Sequence, residues 1–307
     1  MIDDHPTNFP ETVIASVHAA VASTLTCEAL PVRGALRLLL SGQHTPIRAL
    51  VTCSLYPAQP GIDAGTALDL IHISLQQLHA HIDATSGASA LLGNAAAVLA
   101  GDYLTTGAFR LLVRCADMRV LTLVSDAVNR ASELEATQLG LDPDARDDPS
   151  RLLQTRQQLA APLGEAAGAT GATLAGYPEP LAGAARRYGQ YLVSSHVLQL
   201  EADAMPPSRA RTALQDAALD LCRQATREAR AIAASIASGS WPSHSNTSQP
   251  LALKRAFWSV TSDRDTLPSM VMPLSSHNTI RRDSFCLPAR PMASWLTPSI
   301  RQPSPMN

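Results

Sequence analysis

From about residue 10 to about residue 235, apolar residues recur at the three- and four-residue spacing of amphipathic helices, and the two-residue alternation that builds half-buried strands is nearly absent. This pattern restricts the fold to the all-α class. Segments 64–83, 91–114, 119–139, 150–174 and 178–205 are each as long as an ordinary globular helix or longer. They are separated by Pro57, Gly61, Gly87, Gly140, Pro143, Gly176, Pro178 and Pro206, residues that end or bend helices. A chain of 307 residues that is 46% hydrophobic can bury a substantial core.

Beyond residue 237 the periodicity stops. The stretch 238–307 is rich in Ser and Pro, and it holds all three tryptophans (Trp241, Trp258, Trp295) and the single lysine, Lys254. Its composition offers too little contiguous apolar surface to offset the entropy of ordering it, so a disordered tail is expected. The chain divides on these grounds into a helical domain, 1–237, and the tail, 238–307.

A net charge of −2 and a pI near 6.5 argue against a nucleic-acid-binding surface, which needs a clustered basic excess. Cys27, Cys53, Cys115, Cys222 and Cys286 show no metal-ligand spacing, and no charged leader with an apolar core opens the sequence, so a reducing cytoplasm is expected. The uncharged run 84–101 has a membrane-spanning length, but its Ala, Gly, Ser and Asn content is weakly apolar. It reads as a buried helix, with no membrane span.

Two stretches carry a resemblance to a known family. "LIHISLQQLHAHID" (residues 70–83) and "GNAAAVLAGDYLTTGAF" (93–109) resemble the core of the trans-prenyl diphosphate synthases, where an LIH helix leads into a DDxxD motif and then into a GN..AVLaGDyLl.rAf segment. The match continues through Leu134, Glu135, Ala136, Thr137 and Gln138, where the family has GExxQ, and resumes at "YGQYLVSSHVLQLEADAM" (188–205). The resemblance implies a bundle of long antiparallel helices around a deep apolar cavity. In working members, aspartate clusters on two facing helices hold magnesium, a hard cation that takes oxygen ligands and neutralises the departing diphosphate.

The departures from that pattern fall on the chemistry. The first DDxxD register reads His79, Ala80, His81, Ile82 and Asp83, so only Asp83 is kept. The second reads Ala202, Asp203, Ala204, Met205 and Pro206, so only Asp203 is kept and Pro206 stops the helix. The family's KRxRP motif becomes Thr45, Pro46, Ile47, Arg48 and Ala49, retaining Arg48 alone. The connection from Asp83 to Gly93 is too short for the usual arginine pair, and the diphosphate-gripping lysine position is Leu159. No lysine precedes Lys254 to replace it. Losing several cationic clamps together removes several kcal/mol of transition-state stabilisation, roughly speaking.

The vestigial family positions are therefore Asp83, Asp203, Arg48, Gln199, His79 and Gln138, none with an assigned catalytic role. His72, Gln76, His79 and Asp83 share one helical stripe and read as a polar lining of a vestigial cavity, in preference to a transition-metal site at His79 and Asp83. Asp203 and Glu201 read as solvated carboxylates near a helix end. Gly101 and Asp102 read as a structural helix contact, and Ser194, Ser195 and His196 point apart on their helix and make no hydrolase site.

The expected function is that of a catalytically degenerate subunit, regulating or partnering an intact prenyl diphosphate synthase homologue or a second copy of itself in isoprenoid biosynthesis. No metal or other cofactor is expected, and binding of an isoprenyl diphosphate is weakened. The alternative is an active or weakly active trans-prenyltransferase or terpene-cyclase-like enzyme, which would need Mg2+ and would rely on Asp83, Asp203, Arg48 and Gln199. The segments expected to form the partner surface are 93–112 and 119–139, with Ala97, Ala100 and Gly101 permitting close approach and Leu104, Phe109 and Leu112 supplying larger contacts.

Overall fold

Each expected helix forms where its residues are described, and three further helices occur among the described residues. The structure is a computed structural model, and it describes residues 9–29, 33, 45–79, 93–139 and 149–238. Among the described residues the helices are α1 (Phe9–Thr24), α2 (Ile47–Leu55), α3 (Gln59–His72), α4 (Asn94–Cys115), α5 (Met118–Leu139), α6 (Pro149–Leu174), α7 (Glu179–Ala204) and α8 (Arg209–Ala237), with no strand. Asp83 and the tail from residue 239 onward lie outside the described residues.

Helix α3 begins before the segment expected to hold it, because Gly61 is not a break: it lies in the first turn, behind Pro60, where a missing amide costs nothing. At its far end α3 passes into a π turn over Ile73–Leu78. The wider i to i+5 turn shifts every later side chain around the axis. Pro206 does stop α7. The helix ends at Ala204, and Met205 is extended, as a residue before proline must be when the ring blocks the α region.

The core is layered around α2, every residue of which is buried. Helices α3 and α6 flank it, α4 packs on α3, and α5 packs on α6. The long helices α6, α7 and α8 form consecutive hairpins. Gly164 of α6 lies against Gly189 of α7, and Gly168 against Ala185, so the two helices run antiparallel. Ser195 of α7 donates to the Ala218 carbonyl at 2.7 Å while Arg187 pairs with Glu228, the same antiparallel register for α7 and α8.

Helix α4 is the one described helix that is long and apolar enough to cross a membrane by length and composition. Its inner face, including Ala97, Ala100, Leu104, Ala108 and Leu111, is nevertheless fully buried against the protein. It ends with Ala116 in the left-handed region at φ 53°, and Asp117 then caps α5 by accepting from the Arg119 amide at 2.9 Å. The same residue's guanidinium and amide hold the Asp117 carboxyl below its ordinary value.

The α6–α7 contact is a backbone contact. A Cβ on Gly168 would run into the Ala185 carbonyl, and one on Gly189 into the Gly164 carbonyl. Gly168→Leu is therefore expected to destabilise the protein by about 3 kcal/mol, the upper range for forced overpacking, whereas Gly183→Leu, near only the arginine side chains, should cost far less. Urea unfolding followed by circular dichroism measures the difference.

Candidate functional site

A cavity of about 680 Å3 opens between α1, the segment after it, the start of α2, α3 and α7. Its walls are mostly apolar, with Val17, Val21, Leu25, Leu70, Ile73 and Leu200 among them. Set into those walls are Arg33, Arg48, Asp69 and the imidazoles of His18, His72 and His196.

Arg48 is placed there by the needs of a buried helix. The first turn of α2 has amides that lack an intrahelical partner, and its N-cap is Pro46, which has no side chain to satisfy them. Asp69 of α3 does so from outside. Its carboxylate accepts from the Ala49 amide at 2.9 Å and the Arg48 amide at 3.3 Å, and Arg48 Nη1 approaches it at 3.4 Å. Burial pushes the Asp69 carboxyl upward, and the guanidinium and the two amides oppose that push. Burial likewise lowers Arg48, against the attraction of Asp69. The Nε and Nη2 groups of Arg48 are buried and have no hydrogen-bond partner.

The π turn disperses the polar stripe expected from α-helical spacing. His72 does border the cavity. Gln76 instead donates to the Leu159 carbonyl of α6 at 3.0 Å. His79 turns toward α4, where its Nε2 lies 3.4 Å from the Val98 carbonyl and 3.5 Å from Asp102, over Gly101. A Cβ at Gly101 would collide with that ring, and the Gly101 carbonyl accepts from Ser74 at 2.8 Å, so the Gly101 contact is structural as expected.

On α7 Glu201 and Asp203 are both partly exposed, and each has a partner. Glu201 accepts from Arg156 at 3.2 Å, and Asp203 accepts from the amide of Gln199 at 3.1 Å. Arg156 also attracts the half-buried Glu135 of α5, whose carboxyl burial raises while Arg156 and Gln76 oppose the shift. Gln138 is half-buried near the end of α5. Of the described family positions, only Arg48 borders the cavity. Gln199, Asp203, His79 and Gln138 do not. Spacing on one helix does not reveal Asp69 as the partner of Arg48, nor Arg156 as the cation shared by Glu135 and Glu201, because each link crosses between helices.

The described residues do not fit a magnesium centre. At the first acidic register His79 offers nitrogen to a carbonyl and a distant carboxylate, and at the second Asp203 is a lone carboxylate already bonded to Gln199. No group of three or more His, Cys, Asp or Glu side chains that could hold a metal ion occurs among the described residues.

Residues 85–205 match the family model described as polyprenyl synthetase. Over those residues the chain is similar to this family. It is 35% identical over 105 residues to octaprenyl diphosphate synthase of Haemophilus influenzae, covering 34% of this chain and 32% of that protein. It is 28% identical over 193 residues to octaprenyl diphosphate synthase of Escherichia coli, covering 58% of this chain and 59% of that protein. The chain thus matches less than two thirds of the length of either curated relative. Its fold is that of isoprenoid synthases. A mint heterotetrameric geranyl pyrophosphate synthase superposes with a TM-score of 0.57 at 15% identity, over 81% of this chain and 98% of that one.

Removing Asp69 leaves two helix amides and a buried guanidinium without their anion. Asp69→Ala is expected to cost about 3–5 kcal/mol, the penalty for breaking a buried pair. Asp63→Ala, which breaks a pair whose Arg114 side chain is 45% exposed, should cost less. Thermal melts of the two variants side by side check the order.

Proposed function

We propose that this chain is a non-catalytic subunit that associates with an intact prenyl diphosphate synthase homologue, in the cytoplasm and in the service of isoprenoid biosynthesis. The observation that carries this reading is a family body packed to close backbone contact, while the two acidic registers hold His79, turned onto α4, and Asp203, bonded to Gln199. Efficient loss of a diphosphate needs its charge neutralised as it departs, and neither register as described supplies the carboxylate cluster for that.

An unpartnered apolar surface adds support. Leu99, Phe109, Val113 and Met118 are exposed along α4 and at the start of α5, at 59, 37, 71 and 71%. Large exposed apolar residues grouped on one face are the usual mark of an interaction surface. This differs from the surface expected on sequence grounds: Ala97, Ala100, Leu104 and Leu112 face inward onto the chain's own core, and of the residues named there as larger contacts Phe109 stays exposed. The relative in mint is itself a heterotetramer, which is a precedent for mixed assemblies on this fold.

The purified chain with magnesium is expected to show no transfer of radiolabelled isopentenyl diphosphate to an allylic diphosphate. Turnover that disappears in Asp83→Ala would overturn the non-catalytic reading. Co-expressed with an intact synthase from the same source, a tagged chain should retain it on the affinity column. Leu99→Asp and Val113→Asp should abolish that retention while changing stability by no more than about 0.5 kcal/mol, as exposed substitutions do. A chain that remains monomeric alone and beside the intact homologue would refute the partner reading.

A further inference from the structure

We propose that the outer face of α4 joins two copies of this chain about a two-fold axis at Thr106, and that this pairing must open before the intact homologue can bind. The inference rests on reading that face as an interaction surface, and it names what covers the face when the chain is alone. Residues 99, 102, 103, 106, 109, 110 and 113 form one stripe of the helix, since they succeed one another at three- and four-residue steps. All of them are exposed except Tyr103 and Thr106's neighbour across the stripe is never a core residue: Tyr103 itself is half-buried.

The stripe is chemically symmetric about its centre. Leu99 and Val113, both apolar, each lie seven residues from Thr106. Asp102 and Arg110, of opposite charge, lie four residues from it on either side, and the aromatic residues Tyr103 and Phe109 lie three. When a helix packs antiparallel on its own copy with the two-fold at residue 106, each residue meets the one equally far on the other side. Leu99 then faces Val113, Asp102 faces Arg110, and Tyr103 faces Phe109, each contact being made twice. A parallel pairing sets Asp102 against Asp102 and Arg110 against Arg110, an arrangement that like charges oppose.

Shape follows the same symmetry. A hollow of about 490 Å3 lies between the end of α1, at Ser23 and Thr24, and the stretch of α4 from Thr106 to Arg114. Toward the other end of the stripe Leu99 projects, well exposed. The two-fold brings the second copy's Leu99 and Tyr103 over this hollow, so the projection on one copy meets the recess on the other. The charges are available for the contact. Among the described residues Asp102 is approached by the His79 imidazole at 3.5 Å, while Arg110 donates through Nη1 to the Thr24 carbonyl at 3.3 Å and has no carboxylate partner. Self-pairing covers Leu99, Phe109 and Val113, so it and binding of the homologue at this face exclude each other.

The full chain is followed by sedimentation velocity from low to high micromolar concentration, over which it should pass from monomer to dimer. Asp102→Arg and Arg110→Asp each set like charges opposite one another at two places, and each should weaken the dimer by more than about tenfold. Mixed in equal amounts, the two variants recover both pairs of opposite charge, and the dimer should return. Should Arg110→Asp loosen α1, a cysteine readout replaces it. Thr106→Cys places two thiols on the axis and should give a disulfide dimer with an added oxidant, above the level of the parent chain. Val113→Cys should not, since its two copies lie about 21 Å apart along the helix axes. The oxidised Thr106→Cys dimer should no longer retain the homologue that the reduced chain retains. A chain monomeric throughout, single reversals without effect, folded variants that fail to dimerise on mixing, or a crosslink at 113 in preference to 106 would each overturn the two-fold pairing. A disulfide dimer that still retains the homologue would overturn the exclusion. Loss of retention by the reduced chain refutes the partner reading and the exclusion with it, and the two-fold pairing then stands or falls on the sedimentation result.

Discussion

Helix α2 is buried on every side, and a helix with no access to water must find partners for its first amides inside the protein. Pro46 cannot supply one, so the Asp69 carboxylate reaches across from α3. That carboxylate is buried in turn, and a buried anion calls for a cation, which Arg48 provides from the turn being capped. The pairing fixes α2 against α3. Thr52 then reaches the Ala167 carbonyl of α6 at 3.1 Å, and Gly171 of α6 closes onto the same stretch of α2. The end of the cavity, the orientation of Arg48 and the seating of α6 all follow from satisfying a few backbone donors.

Around that centre, small residues do the packing. Alanine and glycine make up much of the buried face of α4 and α6, and glycines at the α6–α7 crossing bring backbones into contact. Such a body tolerates little enlargement. The chemical positions are constrained differently. His79 is held by a space that Gly101 leaves open, Asp203 by Gln199, and Glu201 by Arg156. The polar side chains at these positions are thus engaged with partners within the protein.

The all-α class was legible because helix formation depends on spacing that lies within one segment: Val13, Val17, Ala20 and Thr24 of α1 form one buried stripe that can be read directly. The stop at Pro206 was legible for the same reason, since the clash is between neighbours. The stripe from His72 to His79 was not, because the π turn between them is stabilised by what the helix packs against, and it sends Gln76 to α6 and His79 to α4. Nor was the inward direction of Ala97, Ala100 and Leu104 against the outward direction of Leu99 and Val113, which depends on which face α3 covers.

The sequence by itself determined the helices, the place of Arg48 two residues after Pro46, and the absence of paired acids at residues 79–83 and 202–206, since each is a matter of residue identity and local period. Only the tertiary structure decided that Asp69 is the partner of Arg48, that the Nε and Nη2 groups of that guanidinium are buried without a hydrogen-bond partner, and that His79 lies against α4 and not on the cavity's rim. Those facts join residues on different helices. Their energies come from burial and from the geometry of donors and acceptors, which no single segment of chain contains.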